Sequence, residues 1–136
     1  MTKKYVNGLC YEIIGAAIEV HKELGPGLLE SVYEKCLIYV LKEKGLKIES
    51  QMKIPLFFRG MSLDIDLKLD LLVENCIIVE LKAVNDITSV HEAQLLTYLK
   101  LLDKPKGLLI NFNCTNIFKE GQKTFVTEQY LKLPKE

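Results

Sequence analysis

The chain has 136 residues and 49% apolar content, enough for one folded domain over residues 1–136 with a sizeable core, and too apolar for disorder. Eighteen basic and eighteen acidic residues give a formal net charge of zero, and Arg59 is the one arginine among the bases. That balance lacks the basic excess usual in nucleic-acid-binding domains, although a local patch would suffice, and it leaves little scope for bidentate recognition by arginine.

The four cysteines, Cys10, Cys36, Cys76 and Cys114, show no C-x-x-C spacing and lie among apolar residues. They read as small buried side chains in a reducing compartment rather than as zinc ligands. The first residues, Met1-Thr2-Lys3-Lys4-Tyr5, contain no apolar leader segment, and no apolar run approaches the length of a membrane span. The expectation is a cytoplasmic protein with no membrane partner.

Asn7 is a candidate N-cap and Gly25 a candidate stop for a first helix, with Ile13, Ala17, Val20 and Leu24 at helical spacing. Gly25-Pro26-Gly27 breaks the chain. A second helix is expected over 28–44, ended by Gly45, with an apolar stripe of Leu29, Val32, Cys36, Leu37, Val40 and Leu41. Residues 48–58 read as a strand, with Pro55 pointing to an edge or a bulge, and Arg59-Gly60 as a turn. From Leu63 the alternation is strict: Leu63, Ile65, Leu67, Leu69 and Leu71 are expected on one buried face, Asp64, Asp66, Lys68 and Asp70 on the other. Residues 77–82 form a further strand. Ser89-Val90-His91-Glu92 fits a capping box opening a third helix to about Leu102. Residues 107–112 read as a buried strand, and short strands are expected near 116–119 and 123–127. This order implies an α/β fold with a central mixed β-sheet flanked by helices.

The chemistry centres on Leu69-Asp70-Leu71 and Val79-Glu80-Leu81-Lys82. A hairpin centred on Asn75 sets Val73 against Ile77, Leu71 against Val79, and Asp70 against Glu80. A one-residue slip would send the apolar side chains to the wrong face, so the pattern itself selects this register. Directly opposed carboxylates repel unless a cation lies between them, and a hard divalent metal suits oxygen donors. Lys82 shares the face of Glu80.

An acid, a gap and then Glu-x-Lys across a hairpin resembles the PD-(D/E)xK nuclease superfamily, with Leu69 where the nominal proline would stand. Gly27-Leu28-Leu29-Glu30-Ser31-Val32-Tyr33 is similar to the signature of the GxxExxY family, a bacterial branch of that superfamily. Gln94-Leu95-Leu96-Thr97-Tyr98 resembles the Q-x-x-x-Y motif of its exonuclease branch. The resemblance implies a restriction-endonuclease-like core and a Mg-dependent nuclease that hydrolyses phosphodiester bonds, with DNA the expected substrate and Mn able to replace Mg. By the same resemblance Asp70, Glu80 and Lys82 are catalytic, and Glu30 joins Asp70 and Glu80 as a metal ligand. His91, Gln94 and Tyr98, at i, i+3 and i+7 of one helix, would contact the substrate or steady Lys82.

Plainer readings stand beside these. Asp70 could be one more solvated acid beside Asp64 and Asp66, and Glu80 could form a structural ion pair with Lys82 or Lys68. Tyr33 reads as a packing residue and His21 as a satisfied core histidine. A catalytically silent module, retaining the fold and binding nucleic acid or protein, is the alternative function, and zero net charge suits it. A homodimer stays open, since dimerisation could supply the missing basic surface.

Overall fold

The structure is a computed structural model describing residues 1–136. Helix α1 spans Lys3–Leu24. Its N-cap is Thr2 rather than Asn7: the Thr2 hydroxyl accepts the Tyr5 N–H at 3.0 Å, and burial of Val6, Leu9 and Cys10 carries the apolar stripe back past Asn7. The Asn7 side-chain oxygen Oδ1 instead accepts from Lys106 Nζ and the Tyr130 hydroxyl. Ile13, Ala17 and Val20 are buried as expected, whereas Leu24, at the end, is exposed. Gly25, at φ +69°, closes the helix with its N–H on the His21 carbonyl.

Helix α2 spans Glu30–Glu43. Its fully buried stripe is Tyr33, Leu37 and Leu41, at i, i+4 and i+8, so Leu29 and Val32 stand on the exposed flank instead of in the core. Tyr33 stacks on Phe112 with ring centroids 4.4 Å apart. Its hydroxyl donates to the Gly25 carbonyl at 2.6 Å and accepts the Leu28 N–H at 3.1 Å. One aromatic side chain thus fixes the connection between the first two helices and, through it, the start of α2.

Strands β1 (Ile48–Phe58), β2 (Met61–Val73) and β3 (Ile77–Lys82) follow as a meander. Helix α3 (Ser89–Leu102) then crosses over to β4 (Lys106–Asn111), and β5 (Gln122–Val126) and a short α4 (Glu128–Leu131) complete the chain. The sheet order is β1-β2-β3-β4-β5, and β3 with β4 is its one parallel pair. Such a pair needs a crossover, which α3 supplies. Helices α1 and α2 cover one face through Leu71, Val79, Leu81 and Ile110, and α3 covers the other through Leu72, Ile78 and Leu109.

Three expectations change here. Residues 61–66 of β2 are exposed on both faces, because the outer half of the β1–β2 ribbon extends beyond the helices; Leu63 and Ile65 are therefore solvent-facing. The register of this ribbon shifts between Pro55 and Phe57, the bulge that Pro55 pointed to on an edge strand. Leu69 and Leu71 enter opposite cores, so the alternation breaks at Asp70. The segment expected as a strand over 116–119 is a π-helical turn, Ile117–Gly121. The Asn116 side chain accepts the Lys119 N–H there, and the Glu120 carboxylate accepts from Thr115 N–H and Oγ1.

Replacing Tyr33 by Phe keeps the stack on Phe112 and removes both hydroxyl bonds. Urea denaturation should show a loss of about 1–2 kcal/mol. Unchanged stability would mean that the hydroxyl does not hold the connection.

Candidate active site

The β2–β3 hairpin turns through Glu74 and Asn75, both near φ +51°, and pairs Val73 with Ile77, Leu72 with Ile78 and Leu71 with Val79. This is the register that the apolar pattern selects. The next pair would be Asp70 with Glu80, and there the ladder stops. The Asp70 N–H donates to Glu80 Oε1 at 3.3 Å, and the Leu81 N–H donates to Asp70 Oδ2 at 2.8 Å. Side-chain carboxylates thus take the places of backbone carbonyls where the two strands part. On its other edge β3 stays paired with β4, Glu80 opposite Leu109 and Lys82 opposite Asn111, so β3 is held firmly while its β2 side opens.

Glu80 is only 5% exposed. Burial, the negative charge of Asp70 and a hydrogen bond to the Asp70 side chain push its carboxyl up to about 9, against smaller opposing pulls from the Asp70 N–H and then Lys82. Asp70 is half-buried and lines an open cleft of about 400 Å³ with Glu30, Ser31, Glu34, Gln51 and Leu81. Glu30, the first residue of α2, therefore reaches the cavity of Asp70. Burial raises its carboxyl above the usual range, Asp70 raises it further, and Lys82 draws it down. No three acidic, histidine or cysteine side chains converge as a ready ligand set. Glu30, Glu34 and Asp70 share this cleft, while Glu80, bonded to the Asp70 N–H, is not among its lining residues.

Lys82 is half-buried and forms no ion pair; the chain's salt bridges join Lys44 to Glu12 and Glu19, and Lys123 to Glu92. A structural ion pair of Glu80 with Lys82 or Lys68 is thus not formed. Tyr98 is buried against the sheet from α3, and its hydroxyl donates to the Lys68 carbonyl at 3.4 Å. Burial, then the charges of Glu80 and Asp70, raise the phenol above its ordinary value, while a hydrogen bond with Gln94 lowers it. Tyr98 and Gln94 accordingly border the acids. His91 is engaged differently: its Nδ1 accepts the Thr88 N–H, and Thr88 Oγ1 accepts the His91 N–H. The capping box opens one residue earlier than Ser89, with His91 as its N3 member.

Three residues escaped the sequence reading. Glu34 lies one turn after Glu30 on α2, a spacing that could have flagged it. Gln51 donates to Glu34 Oε1 at 2.6 Å and to Asp70 Oδ1 at 3.3 Å, and nothing local in the sequence marks it. Asn111 is 7% exposed, and its amide bonds both the N–H and the carbonyl of Val84, fixing the chain just beyond Lys82. A buried amide at the end of an apolar strand was the available signal.

The profile of the PD-(D/E)XK nuclease superfamily matches residues 7–125. The chain belongs to this superfamily. Its five-stranded mixed sheet flanked by helices agrees with a restriction-endonuclease-like fold, and membership suggests a nuclease. PD-(D/E)XK nucleases generally use divalent metals, and an all-oxygen set of buried and half-buried carboxylates fits a hard cation. No curated protein and no solved structure gives a significant match.

The proton on Glu80 makes a testable demand in chelator. Below pH 4.5 it is bound in folded and unfolded chains alike. Above that, the unfolded chain releases it while the folded chain keeps it up to about 9, so stability falls as pH rises through this window. Urea melts should show Glu80→Gln losing less stability than the wild-type chain between pH 5 and 9, by about 1.4 kcal/mol or more. Parallel profiles would contradict the assignment.

Proposed function

We propose that this chain is a metal-dependent nuclease of the GxxExxY branch, hydrolysing phosphodiester bonds in DNA. The observation that carries the reading is the parting of β2 and β3 at Asp70 and Glu80, beside an amine without an ion pair. Asp70 and Glu80, with Glu30 across the cleft, would hold Mg²⁺, and Mn²⁺ would serve in its place. A bound divalent ion supplies acidity to a coordinated water and offsets charge on the phosphate.

The chain's own groups do the rest. The Leu81 N–H fixes one oxygen of Asp70. Glu80 would have to give up its proton to serve as a ligand. The Lys82 ammonium, close enough to lower both Glu80 and Glu30, would orient the attacking water by donating a hydrogen bond to it; accepting the water's proton would take the neutral amine. Tyr98 and Gln94 form the α3 wall of the site. His91 has its Nδ1 engaged at the helix cap, leaving Nε2 to meet substrate.

A second reading is favoured by zero net charge and a single arginine at the tip of the β1–β2 ribbon. In it, the chain binds nucleic acid or protein without turnover, or gains a basic surface from a partner or a second copy.

Two variants separate these readings. Calorimetric titration with Mn²⁺ should show Asp70→Ala weakened by more than about 100-fold, since a lost ligand costs more than a lost supporting partner. Lys82→Ala should bind Mn²⁺ nearly as the wild-type chain does yet cleave labelled DNA at least about 100-fold more slowly. Equal affinity in Asp70→Ala would sink the metal site, and full cleavage by Lys82→Ala would remove the lysine from the chemistry. A metal-binding chain that cuts neither DNA nor RNA would favour the silent module.

A further inference from the structure

Gln51 occupies an unusual place. It lies in the middle of edge strand β1 at φ +52°, a left-handed conformation that few non-glycine residues adopt and that a strand ordinarily excludes. Its partner across the sheet is Asp70. The flanking pairs, Ser50 with Leu71 and Met52 with Leu69, form normally, and the Gln51–Asp70 pair is skipped. This is also where β2 loses its alternation, sending Leu69 into the α3 core and Leu71 into the α1–α2 core. The strain on β1 and the twist on β2 thus coincide at the acid that opens the site.

The side chain gives the strain a use. Gln51 is exposed, so packing does not force the conformation. Its Nε2 carries two hydrogens, and its two acceptors are carboxylates from different elements, Glu34 on α2 at 2.6 Å and Asp70 on β2 at 3.3 Å. The Leu81 N–H holds the other Asp70 oxygen. Asp70 is therefore oriented from both sides, once by backbone and once by an amide anchored on α2. A lysine or arginine there would also bridge two carboxylates, but its charge would compete with a divalent cation. A neutral amide orients both acids and leaves their charge available.

We infer that Gln51 is a positioning residue of the site: strained on β1, its amide ties the α2 acid Glu34 to Asp70 and presets the Asp70 carboxylate for a divalent cation. This rests on the metal-site reading above. Strain concentrated where a group must be held in one orientation is a recurring property of functional sites.

The test uses Mn²⁺ as the probe, with binding by calorimetry and melting in EDTA. Asparagine tolerates the left-handed region well, but its shorter side chain cannot span both acids. Gln51→Asn should melt within about 2 °C of the wild-type chain, a change of well under 1 kcal/mol. It should bind Mn²⁺ about tenfold more weakly, the cost of losing a partner that orients a ligand. Glu34→Ala, which removes the anchor, should show a similar loss. The double variant should lose little more than either single one, because both act through one bridge. Wild-type affinity in Gln51→Asn, or losses that simply add, would overturn the inference. If Asp70→Ala itself binds Mn²⁺ as tightly as the wild-type chain, the metal-site reading fails instead.

Discussion

The molecule is organised around one interruption: β2 and β3 pair as far as Leu71 and Val79 and then part, with two carboxylates at the gap. Each acid bonds the other strand's backbone, so the gap is bridged by side chains rather than left with unpaired N–H groups. Keeping two acids there is costly, because Glu80 is almost fully removed from water beside another carboxyl. The rest of the sheet supports that cost. The continuous β3–β4 ladder and the apolar layers above and below hold Glu80 in place, and stability gained in the cores offsets what the site loses.

Three parts of the fold set what surrounds this gap, for separate physical reasons. The Tyr33 hydroxyl, bonded across the first connection, fixes where α2 begins and so where Glu30 and Glu34 stand. The α3 crossover, required by the parallel β3–β4 pair, brings Tyr98 and Gln94 to the opposite side. Asn111, one strand over, holds Val84 by both backbone groups, which limits how far the chain after Lys82 can move. The amine and the acids are thus set by different parts of the fold, and the site forms only when the whole sheet does.

The sequence made the hairpin legible because Leu71 and Val73 match Ile77 and Val79 in one register alone, and any slip would expose them. Strand 77–82 was legible as a short apolar run after the turn at Asn75, and 48–58 from the turns that bound it at Gly45 and Arg59-Gly60. What escaped depends on distant partners. The split of Leu69 from Leu71 accompanies a strained residue nineteen positions earlier, which no local period reports. The exposure of Leu63 and Ile65 depends on how far the helices reach along the ribbon. The π-helical turn at 117–121 follows from side-chain bonds of Asn116 and Glu120 that compete with strand pairing. His91 lies on the same helical stripe as Gln94 and Tyr98, yet at the helix start the demand for a cap engages its ring.

The central claim is that the gap between Asp70 and Glu80 is a cation site. Anomalous diffraction from crystals of the protein grown with Mn²⁺ tests it most directly. The account predicts a peak in the cleft bonded to oxygens of both Asp70 and Glu80, and lost in Asp70→Ala crystals. An ordered site with no anomalous peak at those carboxylates, under conditions where Mn²⁺ binds elsewhere on the chain, would contradict it.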